Sequence, residues 1–138
     1  MPDFTRFITV DAPLEEVWKL LHDPSRFPEW WAGIETVVTN GQSGYTMWPV
    51  GYPDFPMAQR LDASSADNRV TISCLVSDLE FRWQLSPVGE STAVEVLVRI
   101  PEVESHRLAT QQSLIEKSLA QLAALAGTGS PSGRAPTG

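Results

Sequence analysis

Between Met57 and Ile100 the chain alternates apolar and polar residues in four successive runs: Met57 to Ala63, Arg69 to Ser77, Glu80 to Ser86 and Ala93 to Ile100. Only short segments rich in Ser, Asp, Asn, Pro and Gly separate them, so the runs read as strands of an antiparallel meander. Side chains alternate across a strand. Val70, Ile72, Cys74 and Val76 therefore share one face, as do Phe81, Trp83 and Leu85, and again Val94, Val96, Val98 and Ile100. The reverse faces carry Glu80, Arg82, Gln84, Glu95 and Arg99. A sheet that is greasy on one side and charged on the other must have its greasy side covered.

The segment that follows supplies the cover. No proline or glycine interrupts Glu102 to Ala126, and Leu108, Ile115, Leu119, Leu122 and Ala126 form a helical stripe with Leu114 and Leu125 beside it. At ~1.5 Å per residue this helix is ~35 Å long, enough to cross the sheet. Upstream, Phe4 to Asp11 reads as a first strand, and Asp11-Ala12-Pro13 followed by Glu15 and Glu16 signals a helix start. Leu14, Val17, Trp18 and Leu21 form that helix's buried stripe. Asp23-Pro24 repeats the start signal for a second short helix, broken near Pro28. Glu35 to Asn40 and Gly44 to Val50 complete the strands, separated by the hairpin loop Asn40-Gly41-Gln42-Ser43-Gly44. Gly51-Tyr52-Pro53-Asp54-Phe55-Pro56 is a stiff loop, apolar where loops are ordinarily polar, and is expected to cover something.

The expected class is α+β: a curved antiparallel sheet of about seven strands around a long C-terminal helix, with two short helices between strands one and two. Residues 1–127 form one domain, and the Gly/Ser/Pro-rich residues 128–138 read as a disordered tail. A long helix cannot fill the whole concavity of such a sheet, so the layout implies an internal cavity.

Composition limits what that cavity serves. A net charge of -7 without a Lys/Arg cluster disfavours a nucleic-acid partner. No window has the ~20 apolar residues of a membrane span and no leader precedes Phe4, which points to the cytoplasm. One cysteine and two histidines provide no Cys/His cage for structural zinc, and neither a metal nor a cofactor is expected.

The run from Ile8 to Asp23, with Ala12-Pro13 before a helix carrying Val17-Trp18, and then Phe27-Pro28-Glu29-Trp30-Trp31, resembles the opening of the START-like, polyketide cyclase and lipid-transport superfamily, which includes the birch-pollen allergen. The resemblance extends to about Gly127 and implies the helix-grip fold. It implies no single chemistry, because members include lipid and hormone binders, aromatase/cyclases and co-chaperone-like modules.

The residues favour binding. A cyclase or dehydratase needs an acid or base in its cavity, and the inward strand positions offer only Cys74, which among valines is ordinarily inert packing. Tyr45, Gln59, Arg60, His106 and Glu29 lie on segments bordering the opening, where each is either a polar contact for a ligand or solvated surface. Tyr45, Arg60 and His106 are the catalytic candidates. Trp30, Trp31, Trp48 and Trp83 are flat walls for a ring-bearing ligand or filling for the core, and Met47, Tyr52, Phe55 and Met57 form an adaptable mouth. The function expected is binding of a hydrophobic small molecule, lipid-like or aromatic. The alternatives are a polyketide aromatase/cyclase or dehydratase and a protein-interaction module using the loop from Tyr52 to Phe55.

Overall fold

The computed structural model describes residues 3–39 and 44–128. The hairpin loop at 40–43 and the tail beyond 128 lie outside the described residues. Strand β1 (Asp3–Val10) leads to helix α1 (Leu14–His22) and a 3₁₀ helix, Pro24–Glu29, followed by β2 (Ile34–Thr39), β3 (Gly44–Pro49), β4 (Met57–Ser64), β5 (Arg69–Cys74), β6 (Glu80–Val88) and β7 (Ser91–Arg99). A second 3₁₀ helix, Glu102–Arg107, opens into α2 (Leu108–Thr128). The strands form one antiparallel sheet in the order β1-β7-β6-β5-β4-β3-β2, so the first strand closes back beside the last. This is the helix-grip layout.

Local chemistry explains the boundaries. Pro13 stands just outside α1 and leaves its first turn to Glu15 and Glu16, which complement the helix dipole. The Asp23 carboxylate accepts from the Ser25 backbone N–H at 3.1 Å and from the Ser25 hydroxyl at 2.7 Å, capping the first 3₁₀ helix. Two sequence expectations are corrected. Strand β5 ends at Cys74 rather than Ser77, because a tight turn with Asp78 at φ 61° follows, in which the Asp78 N–H reaches the Cys74 carbonyl at 2.9 Å. The turn throws Val76 outward, 62% exposed, out of phase with Val70 and Ile72. The long helix starts six residues late, at Leu108: none of Glu102 to Arg107 is buried, so no apolar face holds that turn in register, and Glu104 departs from helical geometry.

The core lies between the concave sheet face and the helices. Val70, Ile72, Phe81, Trp83, Leu85 and Val96 are buried as strand parity requires. From α2, Ile115, Leu119, Leu122 and Ala126 enter the same core. Here the first 3₁₀ helix and the two residues after it contribute rings: Phe27 and Trp30 meet edge to face with centroids 5.6 Å apart, Trp30 meets Trp83 at 5.4 Å, and Trp31 meets Phe81 at 5.2 Å. The Trp30 indole N–H donates to the Leu20 carbonyl at 3.0 Å, tying α1 to this stack.

Helix α2, 21 residues and ~31 Å long, packs chiefly on β1 and α1. Arg6, on the inner face of β1, reaches Glu116 at 3.0 Å. On its other flank the Ser118 hydroxyl accepts the Ala32 N–H at 2.8 Å and donates to the Leu114 carbonyl at 2.6 Å. Gly33, next in the chain, has φ 95°, and a Cβ there would lie 3.3 Å from Leu114 Cδ1. The glycine therefore permits both the turn and the close approach to α2. The helix covers one half of the concave face, and the β3–β5 half stays open.

Because Trp83 is fully buried among Trp30, Trp31 and the β-strand aliphatics, Trp83→Ala is expected to cost about 3–5 kcal/mol in urea denaturation. A loss below about 1 kcal/mol would mean that this ring borders open space instead.

Candidate functional site

The open half of the sheet and the facing edge of α2 enclose a cleft of about 620 Å³. Cross-strand register builds its floor. Tyr45 lies opposite Gln59, and Gln59 opposite Cys74, so β3, β4 and β5 present one transverse row. Met47 and Met57 are paired in a neighbouring row, and Ile72 and Phe81 in another. All seven side chains line the cleft. Trp31 and Ile34 close it at the start of β2, while Val50 and Tyr52 stand at its mouth.

The floor holds two polar groups in apolar surroundings. Gln59 is buried and its side-chain amide donates to Cys74 Sγ at 3.3 Å, with the Met57 carbonyl at 3.5 Å. Tyr45 is 2% exposed, its ring edge-on to Phe27 at 5.7 Å, and its hydroxyl makes no hydrogen bond to any described residue. Loss of hydration pushes the Tyr45 phenol well above its ordinary pKa, with nearby Cys74 adding to the shift. The hydroxyl is therefore a neutral donor at physiological pH. An uncommitted O–H in such a wall is suited to a carbonyl, ether or hydroxyl oxygen of a bound molecule.

The other sequence candidates divide sharply. Met47, Met57, Tyr52, Trp31 and Cys74 line the cleft. Trp30 and Trp83 do not: both are fully buried, spent on the ring stack that holds the 3₁₀ helix to the sheet. Trp48 lies outside because it stands between Met47 and Pro49, both of which face inward, and strand alternation turns it to the opposite face. Phe55 is 64% exposed, with its ring edge-on to that of Tyr52 at 6.0 Å. Arg60 is turned outward by the same alternation, between inward Gln59 and Leu61, and pairs with Asp62 at 3.4 Å. His106, on the unburied 3₁₀ turn, is 73% exposed in its side chain and lies 4.0 Å from Glu104. Glu29 is clamped by Arg26 at 2.6 and 2.9 Å, a charge-assisted pair that holds its carboxyl below the usual range. Of the three catalytic candidates, only Tyr45 reaches the cleft.

Sequence reasoning missed the α2 wall. Arg107, Thr110, Gln111, Leu114, Lys117 and Gln121 face the cleft at helical spacing. The signal was available as a second, polar stripe beside the apolar one. Leu79 and Ser77, from the tight turn after β5, also line the cleft, and the displaced end of β5 accounts for their absence from the expectation.

The buried phenol makes an alkaline signature. The folded state holds the Tyr45 proton more tightly than the unfolded chain does, so this stabilisation is intact below about pH 10 and declines as pH rises from there towards the raised folded value. Chemical denaturation across that range is expected to show a loss that Tyr45→Phe removes; identical profiles for both proteins would show that the hydroxyl is hydrated in the fold.

No curated protein sequence matches this chain. Among solved structures it is similar to the protein XoxI from Bacillus cereus, with a TM-score of 0.74 at 19% identity over 91% of this chain and 95% of that one. A START superfamily protein from Mycobacterium smegmatis gives 0.71 at 15% identity, over 89% and 98%. The di-domain ARO/CYC BexL, from the BE-7585A biosynthetic pathway, gives 0.76 at 20% identity, covering 90% of this chain and 46% of BexL. At these identities the likeness is one of fold. The family model described as polyketide cyclase / dehydrase and lipid transport matches residues 1–127, which is every element from β1 to α2 but its last residue, and the chain belongs to that family.

Proposed function

We propose that the protein binds an apolar, ring-bearing or lipid-like molecule in the cleft between β3–β5 and α2. The observation that carries this reading is the floor itself: Met47, Met57, Ile72 and Phe81 form an apolar surface around the Tyr45 hydroxyl, a neutral donor with no hydrogen bond to any described residue. That composition fits a ligand held by desolvation and oriented by one polar contact. The two methionines lend the surface tolerance of shape.

A cyclase or dehydratase role has less support. Proton transfer beside a carbonyl needs an acid and a base in reach. No Asp, Glu or His among the described residues lines this cleft, and Tyr45 resists ionisation through burial. The description of the family and the ARO/CYC neighbour keep this role as the alternative.

Nile red, a neutral polycyclic dye, is expected to bind the full chain with one site and a blue-shifted emission. Met57→Trp, which puts bulk into the cleft from a half-buried position, should weaken it about tenfold or more, as expected when a large side chain occupies ligand space. Tyr45→Phe should weaken a carbonyl-bearing ligand such as this by about 0.5–1.5 kcal/mol, the worth of one hydrogen bond. Binding indifferent to Met57→Trp would place the dye elsewhere and remove the reading.

A further inference from the structure

The charge of the cleft runs against that of the protein. The chain holds 17 acidic and 10 basic residues, yet among the described residues lining the cleft none is acidic and two, Arg107 and Lys117, are cationic. Lys117 stands on α2 and Arg107 at the end of the 3₁₀ turn that leads into it, both above an uncharged floor. Thr110, Gln111 and Gln121 extend the same helical face with neutral donors.

The two cations are not equivalent. Arg107 is engaged by Glu104, which neutralises it locally. Lys117 forms no ion pair with any described residue, although its neighbour Glu116 is taken by Arg6 on the other flank of the helix. Ten residues of helix, ~15 Å, separate Lys117 from Arg107. Among the described residues, Lys117 is thus the uncompensated charge on the cleft's rim, about a turn from Leu114 and beside the Ala32–Ser118 tie that fixes the helix at this point.

Resting on the binding reading above, we infer that the ligand is an anionic amphiphile: an apolar body on the floor of Met47, Met57, Ile72 and Phe81, and a carboxylate at the Lys117 ammonium. An exclusively neutral ligand leaves the charge asymmetry of the walls unused. The chain as a whole is acidic, so a rim whose described lining residues include cations and no carboxylate favours an anion there. The ammonium is exposed, which makes it a rim contact sensitive to salt rather than a buried anchor.

The test uses two fluorescent probes with the same ring and chain, pyrenebutyrate and pyrenebutanol, titrated into the full chain at low ionic strength. The carboxylate is expected to bind about five- to tenfold more tightly than the alcohol. Lys117→Gln should abolish that preference by weakening the carboxylate to the level of the alcohol. Arg60→Gln makes the same change in net charge on the outer face and should keep the preference. Equal affinities for the two probes in the native chain, with both bound, would overturn the anionic assignment and leave the apolar site standing. A preference that survives Lys117→Gln, or that Arg60→Gln removes equally, would overturn the role of Lys117. Binding of neither probe would remove the apolar site and this inference together.

Discussion

Rings from one short segment lock onto rings from the sheet, and the geometry of everything above the sheet follows from that contact. Phe27, Trp30 and Trp31 come from a 3₁₀ helix, its C-cap and the residue after it, and they meet Tyr45 of β3 and Phe81 and Trp83 of β6. Once Trp31 is seated, Ala32 and Gly33 are delivered to the side of α2, where the Ser118 hydroxyl and the missing Cβ of Gly33 permit the approach. The helix is then held between this linker on one flank and Arg6 of β1 on the other. It has no freedom to slide over β3–β5.

The cleft is the consequence of that placement. A curved seven-stranded sheet offers more apolar surface than one helix covers, and the apolar stripe of α2 through Ile115, Leu119 and Leu122 is directed to the β1 side. The residue face left over on α2 is polar, and the sheet face left over is apolar. Such a two-faced gap is adapted to an occupant that is itself two-faced. In the binding we propose, the floor would contribute non-directional energy, and Tyr45 and Lys117 would give direction, one through a hydrogen bond and the other through charge.

Most of the fold was legible because strand parity and helical stripes are set by the period of the backbone. Val70, Ile72, Trp83, Val94, Val96 and Ile100 are all buried where alternation puts them. The errors came where geometry departs from period: Val76 sits in a turn with a left-handed residue, and Glu102 to Arg107 lack an apolar anchor. The candidate site was less legible. Applying parity to β3 and β4 would have sorted Tyr45 and Met47 from Trp48, and Gln59 from Arg60. The distinction between Trp31, which borders the cleft, and Trp30, which is consumed by the core, depends on how a 3₁₀ helix rotates onto the sheet, and no sequence period encodes that rotation. Lys117 was hidden for a related reason, since its value depends on which flank of α2 faces the gap.

The central claim is that the gap between β3–β5 and α2, and not the exposed loops, receives the ligand. Backbone amide NMR of the full chain with added pyrenebutanol tests it most directly, because each residue reports its own environment. The account predicts the largest shift changes at Tyr45, Met47, Gln59, Ile72 and Phe81 on the floor and from Gln111 to Gln121 on the helix. Changes confined to Phe55, Leu75 and Val76, or to the outer face around Arg60 and Arg82, would contradict it.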